Sequence, residues 1–277
     1  PYTPEKLIKL DISQKNTLKA PKETFLFQNQ LLLEGEHTLG SIVFMALNTL
    51  LIVFLITDII YLFNTDVVTN ASYSKSVHQG IYALLFSIIC AIIIILYFFR
   101  SDLNFFKGNK RIKRLAYLWI ILNMILFFFT WYKNYLYVEA LGLTYKRIGV
   151  FVYLLLTITG LCTTYLKVAQ IKSFIYLVRT NIATLFTFLL LSTTIPWDRA
   201  ITSYNLLNIK NPDIQYLINL GDSNSVLLHK YTFTQNKYLK KDQVKHINQK
   251  YTDFIKEQTE KTWQEFPFYQ LTNSLKK

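Results

Sequence analysis

Charge is scarce in this chain: Asp, Glu, Lys and Arg make up 17% of 277 residues, while 52% are hydrophobic. A soluble globular domain ordinarily carries more charge and shorter runs of Phe, Leu and Ile. Glycine is scarce as well, with eight residues, so few tight phosphate-cradling turns can be built. The two cysteines, Cys90 and Cys162, fall inside apolar stretches without a Cys-x-x-Cys pair. They read as small packing residues, which excludes a disulfide framework or a thiolate metal site. The four histidines, His37, His78, His229 and His246, are scattered over polar segments and form no His-x-x-x-His pair. No Gly-x-Ser-x-Gly run is present, and no Ser or Thr has a base at a telling spacing. The sequence therefore reads as a non-enzyme, with no cofactor.

What the chain has is long apolar stretches alternating with short lysine-rich connectors. Five stretches approach the ~20 residues needed to cross ~30 Å of hydrocarbon. They run over about 39–63, 77–99, 115–132, 148–168 and 173–195. In lipid the backbone must pair internally, and these spans are too continuously apolar for barrel strands. The expected fold is all-α: a polytopic bundle of about five transmembrane helices with a small soluble helical domain after it. Residues 1–38 are polar and mixed in charge, unlike a signal peptide, and read as a connector in which Leu31-Leu32-Leu33 forms an interfacial turn. The sequence opens at Pro1 rather than Met, which suggests a start within a longer protein or after processing.

Net charge is +13. Much of it lies beside apolar spans, where anionic lipid head groups are the nearest partners, so membrane lipids rather than nucleic acid are expected. Orientation follows from the same residues. Arg100, Lys107, Lys110, Arg111, Lys113 and Arg114 crowd one connector, and Lys167, Lys172 and Arg179 fall on that side. The opposite side receives Lys75, Lys133, Lys146, Arg147 and Arg199. By the positive-inside rule the richer side is cytoplasmic. Residues 1–38 are then cytoplasmic and the tail, 196–277, is extracytoplasmic, in a bacterial inner membrane.

The tail is soluble in composition. Pro212-Asp213 starts a helix with Ile214, Leu217 and Leu220 on one face, and Gly221-Asp222 is a turn. From about Lys241 to Trp263, apolar residues at Val244, Ile247, Tyr251, Phe254 and Ile255 recur at helical spacing until Pro267.

Few residues within the spans are candidates for function. Asp58 lies about one turn from the outer end of the first span. It reads either as a proton or cation site or, more commonly for such a position, as a side chain reaching interfacial water. Asn48 in the same span reads as interhelical glue. Arg179, two turns into the fifth span, reads as the deepest cation, snorkelling to head groups or holding an anionic lipid. Lys146 and Arg147 fall in the first turn of the fourth helix after Thr144, a good N-cap. That is the unfavourable end for cations, so a partner is expected. An Arg147–Asp198 ion pair, with Trp197 as interface anchor, is the specific expectation, and a lipid-phosphate contact is the alternative.

Five segments carry a family resemblance: 77–84 (VHQGIYAL), 98–105 (FFRSDLNF), 143–150 (LTYKRIGV), Trp197-Asp198 to Tyr204-Asn205, and 213–217 (DIQYL). Together they resemble the bacterial membrane family catalogued as domain of unknown function 4173, over most of residues 39–220. The resemblance implies membrane placement and further spans upstream, and supplies no activity. That pattern often has an acidic residue where Gln79 stands here, which argues against a charge-based role at that position.

Two functions remain open from sequence. One is a non-enzymatic membrane subunit, a scaffold or signal-coupling part of an envelope complex, whose tail meets another membrane or periplasmic protein. The other is a transporter or lipid-handling protein with Asp58, Asn48 and Arg179 lining a path.

Overall fold

The computed structural model describes residues 30–64, 80–82, 86–88, 90, 109–235 and 239–260. Among these the chain is helical almost throughout. Helix α1 is Gln30–Asn64, α2 Lys110–Leu141, α3 Tyr145–Gln170, α4 Phe174–Thr193, α5 Trp197–Asn208, α6 Ile214–Ile218, α7 Ser225–Gln235 and α8 Lys241–Glu260. Four helices among the described residues are long and apolar enough to cross a membrane: Glu34–Ile60 within α1, and α2, α3 and α4. Most of the second expected span lies outside the described residues; its described positions, 80–82, 86–88 and 90, are helical.

Contacts divide the chain into two units. The first holds residues up to Asn134 together with Val150–Phe186, and the second holds Tyr135–Gly149 and Thr187 onward.

The first unit is a helical bundle. On α1 the buried positions include Ser41, Phe44, Leu47, Asn48, Leu51, Leu55 and Asp58, which share one face. This is the seam of a helix packed along its length on neighbours, while Ile42, Val53, Ile56 and Ile60 stay exposed to the surroundings. On α2 the matching seam is Ala116, Trp119, Asn123, Leu126, Thr130 and Lys133. Leu154, Leu161 and Val168 carry it on α3. Helix α4 buries no side chain fully. It meets α3 through Asn181, whose amide donates to Thr163 Oγ1 at 3.0 Å. Apolar exposure over α1 and α4 is what lipid contact requires; in water it would be a large liability. The segment holding Ser87 joins the bundle by a bond from Trp119 Nε1 at 3.0 Å.

Helix ends follow identifiable signals. From Lys110 to Leu141 no glycine or proline interrupts α2. The span expected at 115–132 therefore runs on as one helix, and the loop expected there is mostly helix. It stops at Gly142, whose φ of +85° suits only glycine readily, with its N–H bonded to Val138 O at 2.8 Å. Helix α3 ends on Ile171, held at φ +51°. That conformation costs a side-chain-bearing residue roughly 1–2 kcal/mol. It is offset by the Lys172 N–H to Lys167 O bond and by Lys167 Nζ reaching Lys172 O, both at 3.0 Å. At the start of the chain, Leu31-Leu32-Leu33 falls within α1 rather than in a turn. Cys162 is exposed on α3, whereas Cys90 is half-buried, so only the latter packs as expected.

The second unit has its own small core. Ile201, Leu217, Leu228 and Ile247 are wholly buried, with Leu143, Ile148, Trp197, Ile214 and Tyr216 packed around them. The helix expected after Pro212 is α6, capped by Asp213, whose carboxylate accepts from Tyr216 N–H at 3.0 Å. The turn expected at Gly221-Asp222 leads into a single 3-10 turn, Asp222–Asn224. The amphipathic helix expected from Lys241 is α8, described as far as Glu260; the region around Pro267 lies outside the described residues.

Because Leu217 touches the centre of that core, Leu217→Ala is expected to cost about 2–5 kcal/mol. Val226, half exposed on α7, serves as the comparison, and Val226→Ala should move stability by no more than about 0.5 kcal/mol. Thermal unfolding of the full chain in mild detergent, followed by the accessibility of a cysteine introduced into the tail, checks both.

Candidate functional site

Two polar assemblies stand out, one in each unit. In the first unit, Lys133 Nζ donates to Asp58 Oδ1 at 2.5 Å. Both side chains are buried, Asp58 to 8% exposure and Lys133 to 2%. Each lies on the inward seam of its helix, so the same periodicity that packs Leu55 and Leu126 brings these two charges together. Of the readings left open for Asp58, a site inside the bundle or a side chain reaching interfacial water, its burial fits the former; Lys133 was expected in a loop, and helix α2 instead carries it inward. Removing two charges from water costs several kcal/mol per ion, and their attraction repays it only with good geometry and further hydrogen bonds. Asp58 Oδ2 is buried and has no hydrogen-bond partner among the described residues.

The pair is the charged member of a wider buried polar set. Asn48 Nδ2 crosses from α1 to Leu115 O at 3.0 Å. Asn123 donates to Trp119 O at 2.8 Å and Thr130 to Leu126 O at 2.9 Å within α2. Asn48 Oδ1 and Asn123 Oδ1 are buried acceptors left over by these bonds. A β-carbon on Gly80 would come within 2.6 Å of Thr130 Oγ1, so the backbone there lies directly against α2.

The second assembly lies in the other unit, around Gly142–Thr144. Asn205 of α5 grips Leu143 by both edges of its peptide: Leu143 N–H donates to Oδ1 at 2.5 Å and Nδ2 donates to Leu143 O at 2.9 Å. Tyr145 N–H donates to Tyr216 Oη at 3.2 Å, and Tyr145 Oη donates to Asp198 at 2.6 Å. Arg147 N–H bonds the Thr144 hydroxyl at 3.4 Å. Its guanidinium donates to Gly142 O and lies 4.0 Å from the centre of the Tyr137 ring. The cation at this helix start is thus held by a carbonyl and an aromatic face. The contacts seen for Arg147 and Asp198 are these, in place of the ion pair expected between them. Trp197 Nε1 donates to Ser192 O at 2.9 Å, and its ring packs against the tail core. Lys146 is exposed.

Lys250 of α8 ties down the far side, donating to Ile218 O at 2.9 Å and Leu220 O at 2.5 Å. Burial pushes its amine below the usual lysine value, against the pull of Asp222 and Asp198. Inside the unit, Asn224 donates to Thr202 Oγ1 and to Leu217 O, both at 2.8 Å.

Arg179 is exposed on α4, not the deepest cation. Among the described residues the buried cations are Lys133, Lys167 and Arg147. Sequence reading passed over Lys133 because a charge looked like the end of a span. The signal was present: 116, 119, 123, 126, 130 and 133 keep one helical face without a break. Asn205 gave no comparable signal, since a single polar residue on a short helix has no periodicity to betray its partner.

The clamp makes Gly142 a sensitive position. A β-carbon there would lie 2.5 Å from Asn205 Oδ1, on a backbone already at positive φ. Gly142→Ala is expected to lower stability by about 1–3 kcal/mol. Asn205→Ala, which strands the Leu143 peptide, should cost a similar ~1–3 kcal/mol. Made together, the two changes should cost less than the sum, because they break one junction; limited proteolysis of the tail checks this.

Comparison with known families corrects the resemblance drawn from sequence. The family whose profile matches, over residues 7–231, is described as Domain of unknown function (DUF4153), and not the 4173 family. No curated protein matches this chain. No solved structure matches it either. The match spans most of the chain, which belongs to the DUF4153 family.

Proposed function

We propose, with membership of that family as the premise, that the protein is a non-enzymatic membrane subunit that couples an intramembrane helix bundle to a partner protein outside the membrane. The observation that carries this reading is the second unit. It is a folded helical body with an apolar core, in which Asn205 bonds Leu143 while Tyr216 and Asp198 bond Tyr145, and two of its exposed apolar side chains stand out. Leu207 is 81% exposed and Phe233 77% exposed. Isolated exposed apolar residues are ordinary. Leu207 and Phe233, the most exposed of several apolar side chains on this unit, fit the anchors of a protein interface.

The orientation in this proposal is the one that the basic residues favour, with the tail extracytoplasmic in a bacterial inner membrane. The bonds between Leu143 and Asn205 bear on same-sidedness, not on which side that is. These require the loop before α3 and the segment after α4 to lie on one side of the membrane, as they do if α3 and α4 cross and return.

A transporter or lipid-handling protein is the second reading, favoured by one observation, the buried Asp58–Lys133 pair. Charged residues inside spans mark ion or substrate paths more often than they mark scaffolds.

A cysteine introduced at Leu207 or Phe233 tests the first reading. In intact cells, a membrane-impermeant maleimide is expected to label both. A photo-crosslinking residue at either position is expected to capture one partner protein, with Leu207→Asp and Phe233→Asp reducing capture at least tenfold. Labelling only by a permeant reagent would overturn the orientation. Unchanged capture in both aspartate variants would overturn the docking face.

A further inference from the structure

We propose that the start of α2 is a binding site for the phosphate of an anionic phospholipid, held by the Asn109 side-chain amide, the first-turn N–H groups of α2 and the guanidinium groups of Arg111 and Arg114. The inference is independent of both readings above, since a seated lipid serves a coupling subunit as well as a transporter.

The sequence puts cations where a helix tolerates them least. Lys110, Arg111, Lys113 and Arg114 open α2, and its first turn holds no acidic residue. A helix N-terminus already carries about half a positive charge, and its first N–H groups have no helical partner. Such an end draws anions to it. On α2 the first acidic residue is Glu139, near the opposite end. The Arg111 guanidinium lies 3.9 Å from Met45 Sδ on α1, and Arg114 Nε donates to Lys110 O at 3.4 Å. Toward the start of α1 the acidic residues are Glu36 and Glu34, roughly 13 Å or more along the axis from Met45. Among the described residues neither arginine meets a carboxylate.

A second observation points to a ligand at the same place. The Asn109 carbonyl accepts the Lys113 N–H at 3.1 Å, which makes Asn109 the N-cap of α2. That position sets its side chain beside the first-turn N–H groups. Asn109 is 6% exposed, and its Nδ2 is buried without a hydrogen-bond partner among the described residues. Native proteins rarely bury a donor with nothing to receive its proton. A phosphate accepts from an amide, from backbone N–H groups and from guanidinium forks together, and arginine matches its geometry better than lysine does.

The face below the cations selects a lipid over a free phosphate ion. Arg111, Arg114, Leu118, Ile121 and Ile125 are all exposed and recur at spacings of three and four, so they share one face of α2. The face begins charged and continues apolar, as a phospholipid does from head group to acyl chain. Met45, beside Arg111, lies roughly 9 Å along α1 from Leu39, where that helix turns apolar. At such a place lipid head groups are the nearest anions.

The test is native mass spectrometry of the full chain in mild detergent, titrated with phosphatidylglycerol and separately with phosphatidylcholine. Phosphatidylglycerol is expected to bind roughly tenfold more tightly, given several cations at the site. Lys110→Gln, Arg111→Gln, Lys113→Gln and Arg114→Gln together should remove that preference. Lys240→Gln, Lys241→Gln, Lys245→Gln and Lys256→Gln, on or beside α8, remove the same charge and should leave it intact. Asn109→Leu keeps the size of the side chain without its donor. It should weaken phosphatidylglycerol several-fold and leave phosphatidylcholine unchanged. The glutamine set changes no buried side chain, so it remains readable if Asn109→Leu disturbs the fold. A large excess of inorganic phosphate should not displace the lipid. Equal binding of the two lipids overturns the proposal, as does a preference kept in the first glutamine set or lost equally in the α8 set. Displacement by inorganic phosphate overturns the lipid as occupant, and a folded Asn109→Leu chain that binds like the unaltered one overturns the part given to the amide.

Discussion

A charge placed in hydrocarbon must find an opposite charge or leave, and the Asp58–Lys133 contact is where this protein meets that requirement. The two residues lie 75 positions apart, on helices separated by an intervening segment, and each occupies the inward seam of its own helix. Their pairing fixes the rotation of α1 and α2 about their axes, because turning either helix by half a turn would present an unpaired charge to lipid. The rest of each seam then follows: Asn48 faces the start of α2, Phe44 and Leu51 are buried, and Ile42, Val53 and Ile56 face outward. A polar contact thus supplies the register that apolar packing alone, being non-directional, specifies weakly in lipid.

The second unit solves a different problem in water. Its core is small, with four wholly buried apolar side chains among the described residues. Such a core gives little stability by itself, so hydrogen bonds to backbone groups carry much of the specificity. Asn205 completes the Leu143 peptide, Asn224 completes Leu217 O, and Lys250 completes the carbonyls at the end of α6. Each is a polar side chain inserted where the chain leaves a helix and its backbone groups lose their helical partners. The left-handed turn at Gly142 makes room for the first of these.

Spans, their helical nature and the soluble tail were legible because each rests on a pattern within one segment: apolar length for α1 to α4, and periodicity for α8. Boundaries were less so. Lys133 looked like punctuation because a charge usually ends a span, and only the partner on α1 explains why it does not. The same limit hid the partners of Arg147. Its position at a helix start called for compensation, but a carbonyl and a tyrosine ring satisfy it as well as a carboxylate, and sequence offers no way to choose between them. Asn205 and Asn224 were invisible for the same reason: their bonds run to backbone atoms, which every residue possesses. The family assignment shows the complementary limit, since a few short motifs pointed to a different family from the one that matches over residues 7–231.

The central claim is that Asp58 and Lys133 are directly coupled inside the bundle. A double-mutant cycle in lipid, with Asp58→Asn, Lys133→Met and both together, measures that coupling through the unfolding free energy of the full chain. The account predicts that each single change costs about 3–5 kcal/mol, as breaking a buried pair does, and that the double change costs less than either. Additive effects, with no coupling between the two positions, would contradict it.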